Sequence, residues 1–428
     1  RVLNMSIVTG TLLRARLKYP DLDLSKVRLV GWGAGQFFQD FYPCVSEYLN
    51  LQYTICPYPE NQGKRIHGVE VRAPSALEQE SLEHTLIVVM ANHFPEVMNQ
   101  ISQFHGRFRT VRAIDFDPGN VALLDEMQDV AELLPSLTMR RDLPSSRMGI
   151  FVQGLAFDFT PLVLAWNRSH FPSAYQCMVT WDHQSSELLE RCRPWLDELI
   201  LVPQPENLGL MNRNVILRSA RLGVQRLADK GIEFAVRCRS DNILHGSLHQ
   251  ALNGLFSHGR NAGKIAVSLG ASWQYMPFHF SEKAMIARTE DMLALWSLPE
   301  DPRPADWAAD ELSDRLELSP ERHYQELSQY TFESALWRDY ARRLGFPVES
   351  LADSYRFAQA RLLALEPYMS WYSLKFTALF NLERDTFYSF SAESWNRLFS
   401  DSDGALLRAE AASRLAMNSR DFWRGRVG

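Results

Sequence analysis

The sequence predicts an α/β protein: two successive strand-and-helix layers followed by a helical C-terminal region. Three observations predict it. Short apolar runs alternate with amphipathic stretches through residues 1–145, as in a small parallel sheet with helices on both faces. The same alternation restarts at Gly149 and continues through a second region, 146–290. From there to 428 the apolar spacing is mostly helical, and Trp and Tyr are frequent.

In the first region, Val27–Val30, Tyr53–Ile55, Leu86–Met90 and Val111–Ile114 read as buried strands, with helices over Phe37–Leu49 and Pro95–Phe104. Asp142–Arg147 (Asp-Leu-Pro-Ser-Ser-Arg) reads as a linker. In the second region, strands are expected at Ile150–Gln153, Tyr175–Thr180, Leu199–Val202, Phe234–Arg237 and Ile265–Leu269. Helices are expected at Thr160–Arg168, Ser185–Arg193 and Asn212–Lys230. The last of these carries an apolar stripe of Leu217, Ala220, Val224 and Leu227, and a polar face of Asn214, Arg218, Arg221 and Gln225. Further helices are expected at Glu321–Leu327, Phe332–Arg343 and Leu351–Leu365.

The 428 residues carry a formal charge of -6, which excludes a general nucleic-acid binder, since those carry a basic excess. Five widely spaced cysteines form no zinc-type pair and fit a reducing, cytoplasmic compartment. No apolar run approaches the roughly 18 residues that would span a bilayer. The tail from Leu406, with Arg408, Arg414, Arg420, Arg424 and Arg426, reads as a solvated helix, with peripheral contact to an anionic inner membrane as the other reading.

Val27-Arg-Leu-Val-Gly-Trp-Gly-Ala-Gly-Gln-Phe-Phe is a strand, a glycine-rich turn and a helix start, the pattern of a Rossmann-like phosphate turn. Two departures argue against NAD. Phe38 stands at the third glycine position, and the second strand ends in Cys56-Pro-Tyr-Pro with no ribose-binding acid. The segment is similar to small Rossmann-type domains appended to bacterial glycan-assembly enzymes, a likeness to which Gly63-Lys-Arg-Ile-His-Gly-Val-Glu-Val adds. No NAD is expected.

The most informative segment is Pro205-Glu-Asn-Leu-Gly-Leu-Met-Asn-Arg-Asn, leading through a helix to Gly231-Ile-Glu-Phe-Ala-Val-Arg-Cys-Arg-Ser-Asp-Asn. A turn, a polar-headed helix, a buried strand and an acidic strand end follow in order. In glycosyltransferases of the GT-A fold this arrangement ends a strand with an acidic pair that holds a divalent cation on the donor diphosphate. Here Arg239-Ser240-Asp241 stands where Asp-x-Asp would be. Two ways of holding the donor stay open: Mn or Mg on Asp241 with help from elsewhere, or metal-independent binding by Arg213, Arg218, Arg237 and Arg239. A plain Arg239–Asp241 ion pair at a strand end is the structural alternative.

At this point the chain resembles the WavE lipopolysaccharide synthesis family, over roughly Gly149–Tyr324. The matching pieces are Ile150-Phe-Val-Gln-Gly, Phe171-Pro-Ser-Ala-Tyr, Val179-Thr-Trp-Asp, Asn207, Asn212-Arg-Asn, Gly223 and Arg237-Cys-Arg-Ser-Asp. Pro277-Phe-His-Phe-Ser-Glu, Thr289-Glu-Asp-Met and Pro320-Glu-Arg-His-Tyr complete the set. The family's usual Ser-Asp is Ser281-Glu282 here, and the basic residue common near Ile243 is missing. The resemblance implies a GT-A-like nucleotide-sugar-binding domain over 146–290, and the helical region, 291–428, is expected to pack on that domain. It implies transfer from a nucleotide sugar to a glycan or glycolipid acceptor of a bacterial surface polysaccharide.

Roles follow from position. Gln153 and Gly154, at the end of the first strand, are expected to line the nucleotide pocket, and Asp182 to accept from base or ribose. Asn212 is either a helix N-cap or a sugar contact, and Arg213 stands beside it. Glu282 is the candidate general base, with His279 its rival as base or metal ligand. Aromatic stretches such as Trp273–Phe280 and Trp371–Phe376 read as core or as sugar-stacking surface. The rival readings are a catalytically silent glycan-binding or scaffold member of the same family, and an NAD-linked enzyme.

Overall fold

The computed structural model describes residues 25–46, 49–91, 94–105, 107–112, 145–305, 328–374 and 389–400, with a few single positions besides. The expected helix at Glu321–Leu327, the Pro320-Glu-Arg-His-Tyr piece and the arginine-rich tail lie outside the described residues. The chain divides into two compact units, Arg1–Leu137 with Phe376–Leu382, and Thr138–Lys375 with Glu383–Gly428.

The first unit is a six-stranded sheet. Its strands are β1 (Arg28–Trp32), β2 (Leu51–Ile55), β3 (Arg65–Ile66), β4 (Val69–Arg72), β5 (Thr85–Val89) and β6 (Arg109–Arg112), in the order β3-β4-β2-β1-β5-β6. All pairs are parallel except β3 with β4. That hairpin turns through His67 (φ 50°) and Gly68 (φ 79°), two left-handed residues as a two-residue turn requires. Successive side chains of a strand face opposite ways, so a strand buried on both sides feeds two cores. In β5, Leu86 and Val88 pack with Phe38 and Tyr42 of helix α1 (Gln36–Val45). Ile87 and Val89 pack with Val97 and Ile101 of α2 (Phe94–His105).

The second unit holds a seven-stranded sheet of β7 (Ser145–Gln153), β8 (Ala174–Trp181), β9 (Glu198–Val202), β10 (Phe234–Arg239), β12 (Ile265–Val267), β13 (Ala284–Arg288) and β14 (Leu362–Ala364). Their order is β14-β12-β13-β10-β7-β8-β9, and β13 runs antiparallel to both neighbours. Numbered within the unit, that is 3-2-1-4-6-5-7 with the sixth reversed, the layered α/β sheet expected of a GT-A-like domain. Crossover helices α3 (Thr160–His170), α4 (Ser186–Cys192) and α5 (Arg213–Asp229) join the first four strands. A separate antiparallel pair, β11 (Asn242–Gly246) and β15 (Met369–Ser373), leaves the plane of the sheet just after β10. Helices α6 (Leu248–Phe256) and α7 (Thr289–Leu295) follow β11 and β13.

The region after 290 supplies strands as well as helices. Helix α9 (Leu351–Arg361) stops four residues short of the expected Leu365, because Leu362 pairs with Ile265 and starts β14. Strand β7 likewise begins at Ser145, inside the expected linker. Helices α8 (Phe332–Arg343), α9 and α10 (Ala392–Ser400) bury Trp337, Tyr340, Phe357 and Trp395 in one core with Phe151, Val267 and Met285 of the sheet.

Candidate functional site

Strand β7 lies next to β10, the central strand of the second sheet. The chain steps from it toward β8 on one side and pairs with β10 on the other. A crevice opens at such a switch point, outside the carboxyl ends of the strands, where α/β sheets bind ligands. The structure builds that place from the ends of β7, β8 and β10 and from the segment before β13.

The turns after β7 and β10 are laced together. Ser240 donates its N–H to the Gln153 carbonyl (3.0 Å) and its hydroxyl to the Leu155 carbonyl (2.6 Å). Thr160 Oγ1 donates to the Ser240 carbonyl (3.0 Å). Gly154 has φ +124°, and a Cβ there would sit 2.8 Å from Ser240 Oγ. Only glycine meets both demands without strain.

Four charged groups meet beside these turns. Arg237 and Glu282 form an ion pair through Nη1 and Oε2, both side chains almost fully buried. Arg239 grips Asp241 with two bonds, Nε to Oδ1 (2.9 Å) and Nη2 to Oδ2 (3.0 Å). Its Nη1 reaches Glu282 Oε1 at 3.5 Å. The Arg237 guanidinium lies 4.9 Å from the Trp296 ring. With the Gln153 amide oxygen turned toward it, Arg237 Nη2 donates to Gln153 at 3.0 Å, and the amide nitrogen reaches Ile216 O and Ser219 Oγ. Burial lowers the Arg237 pKa against the attraction of Glu282. Burial acts the same way on Arg239, but the charges of Asp241, Glu282 and Glu333 and the bonds to Asp241 outweigh it and raise the value. Both guanidiniums stay charged, because arginine titrates far above neutral pH.

Exposure separates these groups. The side chains of Arg237, Asp241 and Glu282 are 0%, 2% and 3% exposed, and that of Arg239 is 21% exposed. Arg239 is therefore the face this cluster turns to solvent. Asp241 presents both oxygens to Arg239, which leaves a poor donor set for a divalent cation. Among the described residues no group of three or more His, Cys, Asp or Glu side chains could hold a metal.

The segment that delivers Glu282 is irregular yet buried from Ser272 to Lys283. Several of its backbone groups are satisfied by side chains, as buried irregular chain requires. Ser354 Oγ accepts from Phe278 N (2.8 Å), Ser272 Oγ accepts from Ser281 N (2.8 Å), and Trp337 Nε1 donates to Phe280 O (2.9 Å). Phe278 is held at φ 58°, an outlier for a bulky residue. The next residue, His279, is buried, stacks on Trp273 (centroids 4.7 Å apart) and places Nε2 3.7 Å from Glu333 Oε2.

The other residues singled out in the sequence fall elsewhere in this unit. Asp182 directly follows β8, with its side chain 56% exposed. Asn212 takes a left-handed backbone (φ 64°), and its side chain makes no capping bond to α5. Arg213 pairs with Asp301 (2.9 Å) and donates to the carbonyls of Gln329 and Thr331. Arg218 pairs with Glu300 at 2.8 Å. The polar face of α5 thus clamps residues 296–303, with Asn214 bonded to Asp301 N and O, and Arg221 to the carbonyls of Trp296 and Leu298. Burial and repulsion from Arg303 push the Arg213 pKa down to about 10, against the attraction of Asp301. A pocket of about 390 Å³ lies over this clamp, and another of about 280 Å³ lies by Arg147, His170 and His249.

Sequence reasoning missed Asp301 and Glu333. Asp301 falls between the matching pieces and Glu333 beyond them, and no spacing ties either to the site. The one available signal was Thr331-Phe-Glu at a helix start, which reads as ordinary acidic decoration of an N-terminus.

No protein-family model and no curated protein sequence matches the chain. Among solved structures it is similar to the crystal structure of mannose-1-phosphate geranyltransferase from Thermus thermophilus. The identity is 11% and the TM-score 0.26, over 53% of this chain and 76% of that one. At that TM-score the likeness carries no argument about fold or activity. No matching family model supports the resemblance to the WavE family that the motifs suggest.

Proposed function

We propose that the second unit is a glycosyltransferase that moves a sugar from a nucleotide-sugar donor to a glycan or glycolipid acceptor of a bacterial surface polysaccharide. The observation that carries this is the buried charge cluster Arg237–Glu282–Arg239–Asp241 at the switch point of the sheet. Taking charges out of water costs several kcal/mol per ion, so a cluster of four is a poor fold stabiliser. Its position is where this sheet type binds ligands.

In this reading Arg239 meets the donor diphosphate. Asp241 holds its planar fork from one side, and Glu282 holds both guanidiniums. Nη1, at 3.5 Å from Glu282, is the loosest of its contacts and the one that can turn to a phosphate oxygen. Glu282, closed between two cations, serves to position them. Donor binding is then metal-independent. Asp182, exposed at the end of β8, stands where the base or ribose would lie. The polysaccharide acceptor rests on the WavE resemblance.

A second reading has its own observation. The cluster as described balances two guanidiniums with two carboxylates, which also suits a silent, glycan-binding member of the family. A thermal-shift panel of UDP, GDP, CMP, dTDP and NAD, with and without Mn²⁺, separates the two, because a ligand that binds the native state raises the midpoint. The transferase reading expects a shift with one nucleotide that survives chelation and is lost in Arg239→Ala. A flat panel at millimolar nucleotide favours the silent reading.

A further inference from the structure

We infer that Glu333, in the first turn of α8, is the carboxylate that takes the proton of the acceptor hydroxyl, and that His279 is its positioning residue. This rests on the transferase reading of the same site.

The transfer needs a proton acceptor. As the acceptor oxygen bonds to the anomeric carbon, the bond from that carbon to the diphosphate oxygen breaks. The electron pair leaves with the nucleoside diphosphate, and the hydroxyl proton goes to a base. Glu282 is badly placed for it, with Arg237 on one oxygen and Arg239 on the other and its side chain 3% exposed. A carboxylate with a guanidinium on each oxygen and almost no exposed surface has no path to an incoming hydroxyl.

Glu333 differs on each count. Its side chain is 23% exposed. Its charge acts on Arg239, the member of the cluster that reaches solvent, and on Arg213. It comes from α8, outside the β10 strand end and the segment before β13 that hold Asp241 and Glu282. The geometric link is His279, three residues before Glu282 in the same segment, which places Glu333 by the segment that delivers Glu282.

The surroundings of Glu333 are built. His279 Nε2 stands 3.7 Å from its Oε2. The imidazole is fixed by stacking on Trp273, and the backbone by Trp273 N, which donates to the His279 carbonyl at 2.8 Å. Directly before it, Phe278 is kept in the left-handed region, its N–H bonded to Ser354 Oγ. Strain of this kind costs on the order of 1–3 kcal/mol and persists where the surroundings over-determine it, which is typical of functional segments. Here the strained residue sets the direction of the histidine that meets Glu333. The other end of Glu333's helix turn is tied down through Arg213, which bonds the Thr331 carbonyl.

The test uses the full chain and donor hydrolysis, in which water replaces the acceptor. UDP-glucose, UDP-galactose, UDP-N-acetylglucosamine and GDP-mannose serve as probes, with nucleotide release as the readout. Glu333→Gln is expected to lower kcat by about a hundredfold or more, the range of a lost general base, while KM for the donor and calorimetric affinity for the free nucleotide stay within about threefold. The rise of kcat with pH is expected to vanish in Glu333→Gln and to return, shifted, in Glu333→Asp. His279→Asn is expected to shift that rise with a smaller loss of kcat. Wild-type turnover that Glu333→Gln keeps within about threefold would overturn the assignment and leave the transferase reading intact. So would a loss that appears wholly in donor affinity. No turnover of any donor by the wild type would overturn both.

Discussion

The two units carry the same sequence device and use it differently. Each has a mostly parallel sheet whose first strand ends in a glycine turn beside a neighbouring strand, Gly33 after β1 and Gly154 after β7. In the first unit, a Cβ on Gly33 (φ +125°) would lie 2.5 Å from the Met90 carbonyl, and Phe38 fills the third glycine position as core. The buried polar side chains of that sheet are Thr54, Thr85 and Thr110, with no buried charge among the described residues. In the second unit, Gly154 lies against Ser240, one residue from a cluster of two buried carboxylates and two guanidiniums. A glycine turn marks where a backbone must come close. The charges beside it are those on which the proposed donor site rests.

The largest expected effect tests the charged side of that contrast. Arg237→Ala should destabilise the second unit by about 3–5 kcal/mol, because it leaves Glu282 buried without its closest cation. Urea unfolding followed by tryptophan fluorescence measures it, and Trp296 lies under the guanidinium as a local reporter. Arg237→Met with Glu282→Leu should recover most of the loss, since an apolar pair removes both charges. A single variant costing less than about 1 kcal/mol would mean that the cluster is wetter and weaker than its burial indicates.

Next come the paired glycines. Gly33→Ala should cost about 2–3 kcal/mol in the first unit, since the new methyl meets a backbone carbonyl at a positive φ. It should leave nucleotide affinity unchanged. Gly154→Ala meets a movable hydroxyl, so about 1–2 kcal/mol is expected, together with a lowered nucleotide response. Calorimetric unfolding, which separates the units if their transitions differ, and nucleotide titration of both variants check this. A nucleotide response lost in Gly33→Ala and kept in Gly154→Ala would reverse the comparison.

These contrasts also show what a sequence carries. Strands β5 and β8 were legible because every residue in them is buried and their apolar runs are long enough to stand out, and α8 because its periodicity and its ends agree. The two-residue strand β3 is too short to show any period. Strand β14 was absorbed into the preceding helix because Leu362-Leu-Ala is good helix sequence, and only its pairing with Ile265, far away in the chain, decides otherwise. In the site, the types and places of Arg237, Arg239, Asp241 and Glu282 could be read. Their partners could not, since Arg239 and Glu282 are 43 residues apart and only the sheet order brings them together. Arg213 and Arg218 show the converse: arginines heading a helix read as phosphate ligands, and the structure gives them Asp301 and Glu300.

That clamp yields a smaller effect with a definite sign. Hydrogen bonding from Arg303 holds the Asp301 carboxyl below its usual value, helped by the charge of Arg213 and opposed by burial. Its stabilising contribution is therefore present above the unfolded value near 3.8 and is lost as pH falls through the folded one. Hydrogen-exchange protection in residues 296–303, corrected for the intrinsic pH dependence of exchange, should fall as pH drops below about 4, the start of the window of a depressed carboxylate. Asp301→Asn should flatten that dependence, at a cost on the order of 1–2 kcal/mol, the scale of a hydrogen bond to a charged group. An unchanged pH profile in the variant would mean that Arg213 and Arg303 are held by their other bonds.

The smallest expected effect bears most directly on the first unit. Gly35 caps α1 with an ordinary φ of -79°, and no atom lies within 4 Å of an added Cβ. Gly35→Ala should therefore change stability by only about 0.5 kcal/mol, the difference between the two residues at an N-cap. A cofactor phosphate seated on the α1 N-terminus would pass within contact of that methyl, so the substitution would be silent for the fold and severe for a ligand. Titration of NAD and ADP into the wild type and Gly35→Ala chains decides between them. Identical flat responses fit a turn whose glycines serve backbone packing. A response present in the wild type and lost in the variant would make the first unit a nucleotide site too, and the two glycine turns would then differ only in what their surroundings let them hold.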